Sequence, residues 1–148
     1  MISIERLVLS TQSCNIALPK IQIKLHLSFS IMSEPKRTVL ISGCLAGGMG
    51  AELAKVLHEQ GLHVYATARD TSKMVSLSAL GIETLTLDIQ SQESIEACAK
   101  QIPSLDILIN NAGALMTTTV SDISIPEAKK IFDIMVWGNI AMIQAFLP

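Results

Sequence analysis

The chain has 148 residues, of which 49% are hydrophobic and 16% are charged, and its formal net charge is −2. This length suits a single domain or half of a larger one, and the apolar content suits a parallel sheet buried on both faces. The charge balance lacks the excess of basic residues that is typical of a nucleic-acid-binding protein. The sequence contains no run of 18 or more apolar residues, so no membrane span is predicted.

Residues 1–31 differ in pattern from the remainder of the chain. Residues 21–30 alternate apolar and polar side chains, which predicts a local strand. Met32 begins a polar stretch and fits a translation start just before the first regular strand. We therefore interpret residues 1–31 as a leader or extension, with an extra edge strand or a weak organelle-targeting segment as the alternatives. The domain proper is expected to span residues 32–148.

From Thr38 onward, short apolar runs alternate with stretches of helical periodicity. The predicted strands are residues 39–41, 62–67, 82–87 and 105–110. The predicted helices are residues 47–60, 72–80 and 91–102, followed by a long helix that opens at a capping box of Ser124 and Glu127. This alternation predicts a parallel sheet with right-handed crossovers.

A glycine-rich turn joins the first predicted strand to the first predicted helix. It contains Gly43, Gly47, Gly48 and Gly50. Glycines at such a turn allow a close approach by a pyrophosphate, and the free N–H groups of the following helix N-terminus favour an anion. A similar turn also occurs where a helix merely packs closely on a sheet. The strand before it and the helix after it favour nucleotide binding.

The cysteines and histidines indicate neither a disulfide framework nor a metal site. Cys14, Cys44 and Cys98 are unevenly spaced and contain no Cys-x-x-Cys pair. This usage fits a reducing compartment, and hence a cytoplasmic location. The three histidines are scattered along the chain, so no metal ligands are predicted.

Several segments resemble the short-chain dehydrogenase/reductase family. The loop 42–50 is similar to the family's Thr-Gly-x-x-x-Gly-x-Gly, with one extra residue and with serine in place of threonine. Asp88 follows the third strand, where the family's aspartate meets adenine. Residues 110–113 read Asn-Asn-Ala-Gly, as in the family after its fourth strand, and residues 132–138 and 144–148 match the family's long helix. The resemblance covers residues 36–148.

Within the family, the chain looks most like a fungal branch that contains NADPH-dependent 1-acyldihydroxyacetone-phosphate reductases. The segments that carry this finer likeness are the glycine loop and residues 64–69 and 128–132. The resemblance implies a Rossmann-type α/β fold with a doubly wound parallel sheet. The chain would hold only its N-terminal half, with strand order 3-2-1-4.

The resemblance also implies a nicotinamide cofactor, and the end of the second strand indicates which one. An acid there accepts a hydrogen bond from the ribose 2′-hydroxyl, whereas an arginine pairs with a 2′-phosphate. Ala68 stands in the acid position and Arg69 follows it, so we predict NADP(H); a merely solvated Arg69 is the alternative. Asp70 lies beyond the acid position and is interpreted as a cap of the next turn. The cofactor-binding residues implied are Ile41, Ser42, Gly43, Gly47, Gly48, Gly50, Thr67, Arg69, Asp88, Asn111, Ala112 and Gly113.

No catalytic residue is predicted within the 148 residues, because the family's catalytic Ser, Tyr and Lys belong to its second half. Tyr65 and Arg69 are four residues apart, but they lie on a strand leading to the adenine end and are not interpreted as a catalytic pair. Met135 stands where the family's long helix has an asparagine whose backbone carbonyl joins a proton relay. Asn139, one turn later, is not its equivalent. We expect this replacement to weaken activity.

Two functions remain open. The first is a reductase that transfers hydride from NADPH to a ketone of a lipid or a fungal secondary metabolite. Its location would be cytoplasmic, or peripheral to the endoplasmic reticulum or lipid droplets by family analogy, and a homo-oligomer is left open. The second is a catalytically inactive, truncated remnant that at most binds nucleotide. Neither function involves a nucleic acid.

Overall fold

The structure of the protein, a computed structural model, describes residues 36–147. The interpretation of residues 1–31 as a leader or extension, and the strand predicted at residues 21–30, lie outside the described residues. None of the helices between residues 36 and 147 is both long enough and apolar enough to cross a membrane. Within the same range, no group of three or more His, Cys, Asp or Glu side chains is arranged to hold a metal ion.

Four parallel strands form one sheet. They are β1 (Thr38–Ser42), β2 (His63–Ala68), β3 (Glu83–Thr86) and β4 (Ile107–Ile109). Their spatial order is β3-β2-β1-β4, which confirms the predicted order 3-2-1-4. The winding direction therefore reverses between β1 and β4, and in such sheets a crevice opens at that point outside the carboxyl ends of the strands.

Helices connect the strands and cover the sheet. They are α1 (Met49–Glu59), α2 (Val75–Ser78), α3 (Gln92–Ala99), α4 (Ile125–Phe132) and α5 (Asn139–Phe146). A π-helical segment, Asp133–Gly138, joins α4 to α5 without a break, and these three pieces together are called the long helix. The predicted capping box is present, because the Ser124 hydroxyl and the Glu127 carboxylate each bond the other's backbone N–H.

The sheet is buried on both faces because successive residues of a strand point to opposite sides. In β1, Val39 and Ile41 face a cluster that contains residues of α1 and α2. Leu40 faces a second cluster, which contains residues of α3 and α5. Helices therefore cover both sides of the sheet, which confirms the doubly wound arrangement. Two cysteines lie in these clusters, and burial raises the pKa of Cys44 and of Cys98 to about 11, so both remain neutral thiols.

Two predicted helices differ from the observed ones. The helix predicted at residues 72–80 is a 3₁₀ turn, Thr71–Met74, followed by the single turn of α2. The helix predicted from residue 47 begins at Met49, because Gly47 has a φ of +75° and Gly48 is an extended N-cap. The long helix also contains the π-helical segment, for which the apolar periodicity gave no signal.

Candidate functional site

A cleft of about 400 Å³ opens at the carboxyl ends of the four strands. The segments that follow all four strands contribute to the cleft wall, as do the last residues of β1 and β2, and the long helix contributes one residue. The lining residues are Ser42, Gly43, Leu45, Met49, Ala68, Arg69, Asp70, Lys73, Leu87, Asp88, Ile89, Gln90, Asn111, Ala112, Gly113, Ala114 and Ile134. The cleft therefore lies at the position where α/β sheets of this winding bind their ligands.

The glycine loop packs tightly against the loop after β4. Gly43 has a φ of +76°, and a Cβ placed on it would lie 2.8 Å from the Cα of Ala112. A Cβ on Gly50 would collide with the side-chain amide of Asn111 and with the carbonyl oxygen of Gly43. These two positions need glycine because backbone and side-chain atoms of the neighbouring loop occupy the space that a side chain would fill.

Hydrogen bonds join the same two loops. The Ser42 hydroxyl oxygen accepts from the backbone N–H groups of Asn111 and Ala112, each at 3.0 Å. The Asn111 side-chain amide donates in return to the carbonyl oxygens of Ser42, at 2.9 Å, and Gly43, at 3.0 Å. Serine in the family's threonine position thus fixes the end of β1 to the end of β4 across the floor of the cleft.

The twelve residues predicted to bind cofactor fall into three groups. Seven line the cleft: Ser42, Gly43, Arg69, Asp88, Asn111, Ala112 and Gly113. Gly47, Gly48 and Gly50 form the entry to α1 beside it. Ile41 and Thr67 are fully buried beneath it, and the Thr67 hydroxyl donates to the Ile41 carbonyl at 3.0 Å. The side chains of Ile41 and Thr67 thus brace β1 against β2 and do not line the cleft, and their part in cofactor binding stays a prediction.

The loop after β2 presents cationic side chains to the cleft. Arg69 is exposed, and no carboxylate among residues 36–147 pairs with it. Asp70 accepts from the backbone N–H of Ser72 at 3.0 Å and from its hydroxyl at 2.6 Å. These bonds hold the pKa of Asp70 below its usual range and confirm its predicted capping role. Lys73, which the sequence analysis missed, adds a second cation one turn after Arg69.

The loop after β3 supplies an acid flanked by apolar side chains. The Asp88 carboxylate accepts from the backbone N–H of Gln90 at 3.0 Å, and the Asp88 backbone N–H donates to the Ser94 hydroxyl at 2.9 Å. Leu87 and Ile89 lie on either side of Asp88 and also line the cleft. This end of the cleft thus offers a fixed acceptor between two apolar surfaces. Neither apolar neighbour was among the predicted site residues, although both continue the apolar–polar alternation of β3 at Leu85.

Met135 in the long helix contacts the loop after β4. Its Sδ accepts from the backbone N–H of Ala114 at 3.4 Å. The Met135 carbonyl oxygen accepts from the side-chain amide of Asn139 at 2.8 Å. Asn139 thus does not occupy the position of the family's asparagine, but its side-chain amide donates to the backbone carbonyl of Met135, which does.

Tyr65 does not reach the cleft. It packs in the cluster that contains α3, with its ring centroid 4.6 Å from that of His63. Burial and the nearby carboxylate of Glu83 raise the pKa of Tyr65. A phenol that exchanges protons in catalysis needs the opposite shift, because a pKa near the working pH favours proton transfer. The position of Tyr65 therefore agrees with its exclusion as a catalytic residue.

Comparison with protein families gives a match over most of the chain. The family model described as short chain dehydrogenase matches residues 37–148. A short-chain dehydrogenase/reductase of Pestalotiopsis microspora is 59% identical over 117 residues, which are 79% of this chain and 44% of that protein. The NADPH-dependent 1-acyldihydroxyacetone phosphate reductase of Schizosaccharomyces pombe is 37% identical over 118 residues, which are 76% of this chain and 40% of that protein.

Solved structures give the same likeness. A short-chain dehydrogenase from Streptomyces avermitilis superimposes with a TM-score of 0.73 at 28% identity, covering 79% of this chain and 45% of that one. An NADPH-bound carbonyl reductase from chicken fatty liver superimposes with a TM-score of 0.66 at 27% identity, covering 76% and 48%. The chain thus spans less than half the length of the relatives and structures named here.

Proposed function

Because the chain belongs to the short-chain dehydrogenase family, we propose that residues 36–147 bind NADP(H) in the cleft at the carboxyl ends of the strands. The observation that carries this proposal is the position of Arg69, which lines the cleft immediately after β2, while Ala68 occupies the acid position. A guanidinium can make paired, charge-assisted hydrogen bonds to a 2′-phosphate, and no carboxylate at residue 68 opposes that phosphate. The Asp70 carboxylate is engaged by Ser72.

The glycine loop fits the pyrophosphate of such a cofactor. The first turn of α1 has backbone N–H groups without intrahelical partners, and Gly48 brings no side chain to the N-cap. No atom lies within 4 Å of the place where a Cβ of Gly47 would stand, so the turn leaves room for a ligand. Asp88 and its apolar neighbours would then face the adenine, and the loop 111–114 would face the opposite end of the cofactor.

The reaction that we propose from the family membership is reduction of a ketone on a lipid or a fungal secondary metabolite. The bound nicotinamide would supply the hydride, while the described residues bind and orient the cofactor. The similarity to the NADPH-dependent 1-acyldihydroxyacetone phosphate reductase of Schizosaccharomyces pombe supports the proposal of NADPH as the cofactor and of a lipid-like substrate. We place this activity in the cytoplasm or on the surface of a lipid-bearing organelle, and a homo-oligomer remains part of the proposal.

A second candidate function is nucleotide binding without catalysis. The position of Tyr65 favours it, because this side chain, the one tyrosine among residues 36–147, does not line the cleft and has a raised pKa. The residues described here would then form a nucleotide-binding module only. Both candidates require the cleft to bind NADP(H), and they differ in whether ketone-dependent oxidation of NADPH accompanies binding.

The test is a calorimetric titration of the chain with NADPH and, separately, with NADH. Saturable binding of NADPH at one site, with weaker binding of NADH, is the expected result. Equal affinities for NADPH and NADH would contradict the proposed role of Arg69 at the end of β2. If neither cofactor gave a binding heat, the proposal as a whole would be contradicted. Adenosine 2′-phosphate is a useful competitor, because it carries the discriminating phosphate and no nicotinamide.

A further inference from the structure

We propose that Met135 is a positioning residue of the cofactor site, whose thioether holds the loop after β4 against the long helix. Its effect on NADP(H) binding rests on the proposed function, whereas the contact itself does not. The resemblance to the family treats residue 135 as a lost asparagine. The structure instead gives the methionine side chain a contact of its own with a wall of the cleft.

Two observations define this contact. The Ala114 backbone N–H donates to Sδ of Met135 at 3.4 Å. A Cβ built on Gly113 would lie 3.1 Å from the same sulfur and 3.7 Å from the terminal methyl carbon. The missing side chain of Gly113 therefore lets the thioether lie directly on the loop backbone. A larger residue there would have to displace the methionine.

The contact between Met135 and Ala114 lies just beyond the part of the loop that is hydrogen-bonded to the end of β1. Upstream, Asn111 and Ala112 are bonded to Ser42 at the end of β1. From Ala114 onward the backbone runs through residues with no regular secondary structure, and Leu115 is 90% exposed. Met135 thus holds the loop at the point where the bonds from β1 no longer reach it.

The same contact couples the long helix to the cleft. Gly113 and Ala114 line the cleft, and so does Ile134, the neighbour of Met135 in the π-helical segment. The Met135 backbone is held in turn by the bond from the Asn139 amide to its carbonyl. The spacing between the loop wall and the helix wall of the cleft therefore depends on the length and hydrogen-bonding capacity of side chain 135.

Two substitutions separate the hydrogen bond from simple packing. Met135→Leu keeps an apolar side chain of similar volume and removes the acceptor. Met135→Asn loses volume but places an oxygen the same number of bonds from Cα as the sulfur. Met116→Leu is the matched control, because it makes the same methionine-to-leucine substitution at another position. Met116 lies on the irregular segment after β4, and its sulfur has no hydrogen bond within residues 36–147.

Two measurements on the full chain test the proposal: the exchange rate of the Ala114 amide hydrogen by NMR, and the affinity for NADPH by calorimetry. Met135→Leu should speed the exchange at Ala114 and weaken NADPH binding about 2- to 10-fold, the effect of losing one hydrogen bond. Met135→Asn should restore both values toward wild type, and Met116→Leu should change neither. A thermal midpoint within the wild-type range confirms that each variant is folded.

The other outcomes overturn the proposal at identifiable steps. Unchanged exchange at Ala114 in Met135→Leu would show that the sulfur does not hold the loop. Faster exchange with unchanged NADPH affinity would show a contact that does not position the site. If Met135→Asn matches Met135→Leu in both measurements, packing rather than hydrogen bonding is responsible. If wild type binds no NADPH, the proposed function fails and the positioning role fails with it, while the exchange rates still decide whether the contact exists.

Discussion

Gly43 and Gly47 form a matched pair that tests how the site is built. Their φ angles are +76° and +75°, so a side chain at either position meets the same backbone penalty of about 1–2 kcal/mol. Their surroundings differ. A Cβ on Gly43 would lie 2.8 Å from the Cα of Ala112, whereas a Cβ on Gly47 meets no atom within 4 Å.

The contact at Gly43 involves backbone, so no rotamer change can relieve it. Gly43→Ala must push the loop after β4 away from the end of β1. This movement stretches the two 3.0 Å bonds that the Ser42 hydroxyl accepts from Asn111 and Ala112. With each bond worth about 0.5–1.5 kcal/mol, the additional cost is about 1–3 kcal/mol. We expect Gly47→Ala to lose about 1–2 kcal/mol of unfolding free energy and Gly43→Ala about 2–5 kcal/mol.

Urea denaturation of wild type and the two alanine variants measures these losses. The slope of each transition should be unchanged, since the same surface is exposed on unfolding. Equal losses in the two variants would refute the packing argument, because only the φ penalty would then be acting. We also expect the larger side chain of Gly43→Val to abolish NADP(H) binding, and retained binding in a folded Gly43→Val protein would show that the close turn is not needed.

Three further predictions concern Arg69, Asp70 and the activity of the chain. Arg69→Ala should weaken NADPH binding about 10- to 150-fold, the loss of a charge-assisted contact, and should leave NADH affinity unchanged in the same titration. Asp70→Ala should destabilise the protein at neutral pH. The folded pKa of Asp70 is lowered, so its contribution is present above the unfolded pKa of about 3.9 and disappears as the pH falls through the folded value. Wild type and variant should therefore converge in acid denaturation curves, and a gap that persists there would contradict the capping role. The 148-residue chain should not oxidise NADPH with ketones, including an acyl-dihydroxyacetone phosphate; turnover lost in Tyr65→Phe would show that Tyr65 was wrongly excluded.

Most of the strands and helices follow from the sequence because their signals are local. Apolar runs punctuated by glycine and proline mark the four strands, and the side chains of Ser91 and Ser124 cap the helices that they precede. The order itself came from the family resemblance, since no local pattern says on which side of β1 the fourth strand lies. The register that places Ile41 opposite Ile109 is likewise determined by tertiary packing and not by a local sequence pattern.

The places where the cleft lining differs from the predicted site residues depend on packing between elements. Ile41 and Thr67 are adjacent in sequence to cleft residues, but strand alternation turns their side chains into the core beneath. Lys73 reaches the cleft because the segment after β2 tightens into a 3₁₀ turn, which its apolar pattern does not distinguish from a helix. The contact of Met135 with Ala114 joins residues 21 positions apart, and a thioether carries no sequence signal for a hydrogen bond.

The most direct test of the central claim is a crystal structure of the chain with NADP⁺. The account predicts the pyrophosphate at the N-terminus of α1 and the 2′-phosphate within hydrogen-bonding distance of the Arg69 guanidinium, with the nicotinamide end beside the loop 111–114. A cofactor bound away from this cleft, or bound in it with the 2′-phosphate turned away from Arg69, would contradict the assignment.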